Sequence, residues 1–321
     1  MVRSTPSSYP ERTGSPASRQ ASSTTWGGGW RIEGSHGPHV GRPERHEPAT
    51  LAVTTVKTGV ATVGLLVAVW ACLACGHATA GQGTQDRFLD SNGVRIRFHA
   101  LGQGPPVVLI HGFGESLEIW HQGGVVRALS PHFKVIAMDV RGHGRSSKPH
   151  DPKSYGTELS GDVVRLLRHL GVTKAHVVGY SMGALVALDL AVLHQGHTLS
   201  VVLGGAGWNP PETLDQFRQQ AEAFEKGKVP VREGDDAKAL AAMLRGLRVL
   251  SEEEVRRIQV PVAALIGAND RFMPNVRRLS AVLPGLKVVE IPDADHATAP
   301  GHPKFAEELL AFLQRQNGAT R

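Results

Sequence analysis

The 321-residue chain has only two cysteines, and Cys72 and Cys75 both lie in one apolar segment near the N-terminus. The rest of the sequence therefore has no disulfide framework, no cysteine-ligated metal and no cysteine nucleophile. Aromatic residues are sparse at 5%, and no run of Lys and Arg is interleaved with them. The formal net charge of +6 falls by half beyond residue 80, where 28 basic residues face 25 acidic ones. A surplus that small argues against a nucleic-acid partner.

The first 55 residues show no apolar period and are rich in Ser, Thr, Gly, Pro and Arg. This composition predicts a disordered extension over residues 1–55. Signal sequences normally begin a protein, whereas the apolar leader of this chain comes only after the extension. We therefore hypothesise that translation starts at Val56, which N-terminal sequencing or mutation of the Met1 codon would test.

Residues 56–80 have the three parts of a secretory signal peptide. The basic Lys57 precedes an apolar run, and the small residues at 78–80 fit an A-x-A cleavage site. Two alternatives stay open: an uncleaved membrane anchor, because the apolar run is near the lower limit for a span, and a lipoprotein with its lipid on Cys75. All three interpretations predict that residues 81–321 lie outside the cytoplasm, secreted, periplasmic or anchored to a membrane.

Between residues 81 and 321, short apolar runs alternate with helical patterns, which predicts βαβ units and a mostly parallel sheet. The expected strands are Val94–Phe98, Val107–Ile110, Lys134–Asp139, His176–Gly179, Ser200–Leu203, Val262–Ile266 and Lys287–Ile291. The expected helices are Leu117–Leu129, Tyr155–Leu170, Met182–His194, Pro211–Lys226, Ala237–Leu247, Val276–Leu283 and Pro303–Gln314. The stretch of about 208–259 is helical and charged, and breaks this rhythm. The predicted fold class is therefore α/β, a doubly wound, mostly parallel sheet with a short helical cap insert.

The motif GYSMG at residues 179–183 stands between an apolar run and a helix-forming run. A G-x-S-x-G motif between a strand and a helix forces a sharp turn, the nucleophile elbow, which lifts the serine hydroxyl out of the sheet. Glycines flank the serine because larger side chains would collide with the strand or the helix. Ser181 is therefore the candidate nucleophile, and the backbone N–H of Met182 is aimed at the same point.

The HGFG loop at residues 111–114 follows a predicted strand, where a second oxyanion donor is expected once an elbow is present. The backbone N–H groups of Phe113 and Met182 are the candidate donors. Each would stabilise an oxyanion by about 3 kcal/mol. On its own, the same loop also fits a plain glycine turn between a strand and a helix.

A serine nucleophile needs a base to remove its proton, and the base is expected after the last strand. His296, in the DADH stretch just past the last predicted strand, is the candidate base. His302 is the fallback, although it lies closer to the next helix. The competing interpretation of His296 is an ordinary surface histidine.

The acid that orients the base is expected between the serine and the histidine in sequence. Asp270, in the GANDRFMP stretch, follows a predicted strand and would emerge at the carboxyl edge of the sheet. A carboxylate there would hold the imidazole in the required tautomer. Asp293 and Asp295 compete for this role, but they are too near His296 in sequence to reach its far ring nitrogen easily. A capping or turn aspartate is the alternative for Asp270.

The loop D-V-R-G-H-G-R-S at residues 139–146 also contains Asp, Arg and His. We interpret it as structural, because its glycines allow a tight turn directly after a strand. Asp139 and Arg141 are expected to pair or to bond to the backbone, and His143 is not expected to take part in chemistry.

Taken in this order, these motifs resemble those of the α/β-hydrolase fold family, over about residues 87–316. The resemblance implies Ser181 as nucleophile, Asp270 as acid, His296 as base, and the N–H groups of Phe113 and Met182 as oxyanion donors. The haloalkane dehalogenase and epoxide hydrolase branches are less similar, because they have aspartate at the elbow. The HGFG loop also differs from the HGGG loop of many lipases and esterases.

The likeness is greatest to small-cap carboxylesterases, cofactor-free perhydrolases and C–C bond hydrolases of ring-cleavage products. It implies a carboxylesterase that needs no metal or organic cofactor and acts on a small-molecule ester. Trp120, Trp208 and Phe272 are candidate walls of its substrate pocket. Two alternatives stay open: C–C bond hydrolysis by the same residues, and a non-catalytic ligand-binding protein on the same fold. Membrane attachment is expected only through the N-terminal apolar segment.

Overall fold

The computed structural model describes residues 85–319. Its strands are β1 (Arg87–Ser91), β2 (Val94–Leu101), β3 (Pro106–Ile110), β4 (Lys134–Met138), β5 (Ala175–Tyr180), β6 (Thr198–Gly204), β7 (Val262–Gly267) and β8 (Lys287–Ile291). They form one sheet in the order β1-β2-β4-β3-β5-β6-β7-β8. The β1–β2 and β2–β4 pairs are antiparallel, and all the other pairs are parallel. The expected α/β class with a mostly parallel sheet is confirmed.

Helices cover both faces of this sheet. They are α1 (Glu118–Gln122), α2 (Val125–Leu129), α3 (Thr157–His169), α4 (Met182–Leu193), α5 (Thr213–Glu225), α6 (Ala237–Gly246), α7 (Glu252–Arg256), α8 (Met273–Val282) and α9 (Pro303–Ala319). Side chains alternate between the two faces along each strand, so β3 sends Val108 and Ile110 to one core and Val107 and Leu109 to the other. The central strands therefore read as continuous apolar runs, because both of their faces are buried.

Three elements differ from the sequence prediction. Strand β1 was not expected, because its charged sequence RFLDS buries only two residues at the sheet edge. The turn that joins it to β2 is Asn92-Gly93, both with positive φ, and this dipeptide is a hairpin signal that could have revealed the strand. The helix expected over Leu117–Leu129 is two short helices, because Gly124 adopts a φ of 74° and ends the helical run. The short helix α7 was also missed.

The segment between β6 and β7 contains α5, α6 and α7 and is called the insert here, residues 205–261. Its buried side chains, such as Phe224 and Leu240, join the core cluster that contains Met182 at the start of α4. The insert thus shares a core with the helix that follows Ser181, and its Arg248 lies 3.4 Å from Asp189 on that helix.

The predictions for residues 1–55 and 56–80 lie outside the described residues. Across residues 85–319, no helix is both long and apolar enough to cross a membrane.

Candidate active site

Ser181 lies at the junction of β5 and α4 and has φ 54° and ψ −114°, a conformation that non-glycine residues rarely adopt. Close packing enforces this turn. A Cβ atom at Gly179 would come within 2.0 Å of the Gly183 carbonyl oxygen, and one at Gly183 within 2.2 Å of the Ile110 oxygen. The two glycines are therefore required by the approach of backbone to backbone. The turn holds the serine hydroxyl at the carboxyl edge of the sheet.

The hydroxyl of Ser181 lies 3.0 Å from Nε2 of His296. On the other side of the same ring, Nδ1 lies 2.9 Å from Oδ2 of Asp270. A carboxylate only accepts, so Nδ1 carries the proton and Nε2 is free to accept from the serine. The structure thus brings together the three side chains singled out from the sequence, in the geometry of an activated nucleophile.

Asp270 follows β7 and its carboxylate is fully buried. Its second oxygen, Oδ1, accepts the backbone N–H of Phe272 at 2.9 Å, which fixes the carboxylate plane. A buried charge needs such partners, because desolvation without them costs several kcal/mol.

Two of the competing side chains, Asp295 and His302, make bonds to nearby backbone N–H groups. Asp295 accepts the backbone N–H groups of Thr298 and Ala297, and these bonds, led by that of Thr298, hold the pKa of its carboxyl below the usual range. His302 accepts the backbone N–H of Lys304 at the start of α9. Neither Asp295 nor His302 bonds to the Ser181–His296 pair in the described structure.

Two residues that the sequence reasoning missed hold His296 in place. The Tyr180 hydroxyl donates to the His296 carbonyl oxygen at 2.5 Å, and its ring lies 5.4 Å from the imidazole. A Cβ atom at Gly205 would come within 3.1 Å of Nδ1, so only glycine leaves room for the ring. The x position of G-x-S-x-G carries Tyr180, but no sequence pattern links it to a residue more than a hundred positions away.

The Gly112–Phe113 peptide is fixed from its carbonyl side. Nδ1 of His111 donates to the Gly112 oxygen at 2.7 Å, and the Glu115 N–H donates to the same oxygen at 3.2 Å. Nε2 of His111 accepts the Val140 N–H at 3.0 Å, which settles the tautomer, and burial lowers the pKa of His111 so that it stays neutral. A trans peptide points its N–H opposite to its carbonyl. These bonds therefore orient the Phe113 N–H.

The N–H groups of Phe113 and Met182 donate no hydrogen bond within the described residues. Unpaired donors beside a candidate nucleophile such as Ser181 are what an oxyanion site requires. The loop is close to the nucleophile, since a Cβ atom at Gly112 would lie 3.4 Å from the Cβ of Ser181.

The Asp139–Ser146 loop packs against the HGFG loop, through Val140 on His111 and His143 on Phe113. Asp139 accepts the backbone N–H groups of Leu117 and Arg145 at 2.8 and 2.7 Å, while Arg141 pairs with the buried Asp162 rather than with Asp139. His143 is fully buried with its ring against Phe113. Burial lowers the pKa of His143 to about 3, so the ring is neutral.

The three aromatic residues expected to line the pocket have different positions. Phe272 packs its ring edge-on against His296, with centroids 4.9 Å apart, and so lies beside the site. Trp208 is buried at the base of the insert, where its indole N–H donates to the Leu250 carbonyl. Trp120, on α1, has no exposed surface and belongs to the core cluster that also contains Phe305 and Leu309 of α9, so it does not line an open pocket. That expectation is corrected because the helix turns the indole inward.

Across residues 85–319, no group of three or more His, Cys, Asp or Glu side chains has the spacing to hold a metal ion.

Comparison with known proteins agrees with the fold. The profile of the α/β hydrolase fold matches residues 105–241. The chain is 27% identical to a 2-hydroxy-6-oxo-6-(2'-aminophenyl)hexa-2,4-dienoic acid hydrolase of Metapseudomonas resinovorans, over 74% of this chain and 93% of the relative. It is 28% identical to a pimeloyl-[acyl-carrier protein] methyl ester esterase of Vibrio vulnificus, over 68% of this chain and 97% of that protein.

Among solved structures, the enol-lactonase of Burkholderia xenovorans LB400 superposes with a TM-score of 0.62 and 26% identity, covering 71% of this chain and all of that one. Other curated relatives match over only about a third of their own length. The family model and the structural neighbours support the α/β-hydrolase fold family for this chain, and a hydrolase of that fold.

Proposed function

We propose that the protein is a serine hydrolase that cleaves a carboxylic ester through an acyl-enzyme intermediate. The observation that carries the proposal is the continuous chain from the Ser181 hydroxyl through His296 to Asp270, with separations of 3.0 and 2.9 Å. A neutral imidazole in this position removes the serine proton as the oxygen attacks.

The reaction follows from the positions of the donors. The Ser181 oxygen bonds to the ester carbonyl carbon, and His296 takes its proton. The carbonyl oxygen gains the negative charge, which the N–H groups of Phe113 and Met182 stabilise. The C–O bond to the alcohol then breaks, and His296 returns the proton to the leaving oxygen. Water attacks the acyl-enzyme by the same steps in reverse order and releases the acid.

Hydrolysis of a C–C bond in a dienoate is the second candidate. The observation that favours it is the match to the dienoic acid hydrolase along 93% of that protein. The match to a methyl ester esterase along 97% of its length and the likeness to an enol-lactonase favour the ester. The same three side chains would serve both reactions.

A substrate panel separates the two candidates. The purified protein is assayed with p-nitrophenyl esters of increasing acyl length and with a 2-hydroxy-6-oxo dienoate. The proposal predicts turnover of at least one ester, with a burst of p-nitrophenol equal to the enzyme concentration if deacylation is slow. Cleavage of the dienoate at a much higher kcat/KM than every ester would favour the second candidate. Loss of all turnover in Ser181→Ala is the control for a contaminating esterase.

We also propose that residues 81–321 form the mature protein and act on a small-molecule ester outside the cytoplasm, without a nucleic-acid partner or a cofactor. The signal-peptide pattern of residues 56–80 supports this location. Expression of the full chain in its host, followed by N-terminal sequencing of the extracytoplasmic fraction, should give Gly81. An intact leader recovered with the membrane would support the anchor instead.

A further inference from the structure

The insert makes direct polar contacts with the oxyanion loop, defined here as residues 112–116. Arg232, in the connection between α5 and α6, forms a two-pronged pair with the Glu115 carboxylate at 2.7 and 2.8 Å. The same guanidinium donates to the carbonyl oxygen of Gly114 at 3.0 Å. A planar guanidinium that binds three acceptors on neighbouring residues fixes orientation as well as distance.

A second contact joins the same two segments. The ring of Phe224, near the end of α5, lies 5.8 Å from the ring of Phe113. Phe113 is thus enclosed between the insert and the buried ring of His143. The insert therefore contacts the oxyanion loop at the residue whose N–H is the candidate donor and at the two residues that follow it.

Glu115 connects Arg232 to the donor peptide. Its side chain binds the arginine, while its backbone N–H donates to the Gly112 oxygen, which belongs to the same peptide unit as the Phe113 N–H. Gly114, between them, has a φ of 69° and no atom within 4 Å of a Cβ position. On this open side of Gly114, the bonds of Arg232 to the Gly114 carbonyl and the Glu115 carboxylate supply polar contacts between the loop and the insert.

We propose that Arg232 is a positioning residue, which ties the insert to the oxyanion loop and holds the Phe113 N–H in its working orientation. This inference rests on the proposed function for its kinetic consequence. The pair is partly exposed, with side-chain exposures of 55% for Arg232 and 29% for Glu115, so the tie is sensitive to salt. The insert then affects turnover through the orientation of the Phe113 N–H.

The kinetic test is a double-mutant cycle with the variants R232Q, E115Q and the double variant. A lost pair of this exposure should lower kcat by roughly 5-fold, with a smaller effect on KM, because the donor acts on the transition state. The double variant should be no slower than R232Q, since both changes break one contact. Raising the salt concentration should lower the kcat of the wild type toward that of R232Q and should leave the kcat of R232Q little changed.

The matched control is R245Q. Arg245 makes an equivalent two-pronged pair with Glu225, at 2.9 and 2.8 Å, but entirely within the insert. R245Q should leave kcat unchanged. An equal loss of kcat in R245Q, strictly additive effects in the cycle, or a change confined to KM would overturn the positioning role.

A readout without catalysis separates this inference from the proposed function. Hydrogen exchange at the amides of residues 112–116 should be faster in R232Q than in wild type and in R245Q. Unchanged exchange at these amides would show that Arg232 does not hold the loop, whatever substrate the enzyme acts on. If wild-type protein hydrolyses no ester and exchange nevertheless rises in R232Q, the proposed function fails and the structural tie stands.

Discussion

The nucleophile elbow and the insert lie against each other but are held in place by different forces. At the elbow, a Cβ atom on Gly179 or Gly183 would collide with backbone at 2.0 to 2.2 Å, so the turn has one arrangement. The outer surface of the insert is held by exposed ion pairs, such as Arg218–Asp215 with side-chain exposures of 61% and 70%. Exposed pairs of this kind contribute about 0–1 kcal/mol each.

This difference separates two tasks of the molecule. The elbow keeps the serine within hydrogen-bond distance of His296. In the proposed reaction, small displacements of these groups would reduce catalysis strongly. The insert contacts the oxyanion loop, and its outer surface is held by exposed pairs. Such surface elements are where differences in substrate choice within one fold usually arise. The bonds of Arg232 to Glu115 and Gly114 and the contact between Phe224 and Phe113 join the insert to the oxyanion loop.

The largest expected effect is at the reacting groups. His296→Ala should lower kcat by on the order of a thousandfold or more, because no other base contacts the Ser181 hydroxyl in the described structure. Circular dichroism and thermal melting should show a folded protein. Asp270→Asn should also reduce kcat strongly, and an unchanged rate there would mean that another acid orients the ring.

The next effect concerns the fold of the elbow. Gly183→Ala should lower the free energy of unfolding by more than about 2 kcal/mol, because its Cβ would meet the Ile110 carbonyl. Gly196→Ala is the matched control, since a Cβ there has nothing within 4 Å and the residue has no positive φ. Equal stability of the two variants in urea unfolding would show that the elbow is less tightly packed than described.

A smaller effect is expected where α4 meets the insert. Burial raises the pKa of Asp189 to about 7, Arg248 opposes the shift and Glu254 adds to it. The folded state therefore keeps a proton that the unfolded state releases near pH 3.8, so the stabilising contribution is full below that pH and is lost as the pH rises through about 7. Between pH 5 and 8, the unfolding free energy of the wild type should fall by roughly 1–3 kcal/mol more than that of Asp189→Asn.

The Asp189 carboxylate supports this expectation by its contacts. Its Oδ1 is buried and makes no hydrogen bond within the described residues, although the Arg248 guanidinium lies 3.4 Å away. If the unfolding free energy of Asp189→Asn falls with pH as steeply as that of the wild type, Asp189 is already ionised in the folded protein.

The smallest effect should come from the surface of the insert. Arg218→Gln removes the pair with Asp215 on α5 and should change the free energy of unfolding by less than about 0.5 kcal/mol. Esterase kinetics should be unchanged. A loss comparable to that of Gly183→Ala would remove the contrast between the two regions.

The sequence predicted most of the sheet and the three side chains that meet at the site, because apolar runs and glycine spacing are local signals. Strand β1 was not predicted because its sequence is charged and largely exposed, although the Asn92-Gly93 dipeptide marks the turn that follows it. Trp120 was misplaced because composition does not tell which side of a helix faces the core. The Tyr180–His296 and Arg232–Glu115 contacts join residues more than a hundred positions apart, and no single-sequence pattern specifies such pairs.

The central claim is that Ser181 is a nucleophile activated by His296. Folded protein is treated with a fluorophosphonate, digested and examined by mass spectrometry, beside His296→Ala and Ser181→Ala. The account predicts one phosphonylated residue, Ser181, with labelling much slower in His296→Ala and absent in Ser181→Ala, and loss of ester turnover in proportion to labelling. Folded wild-type protein that hydrolyses esters while Ser181 stays unlabelled, or that labels equally fast without His296, would contradict it.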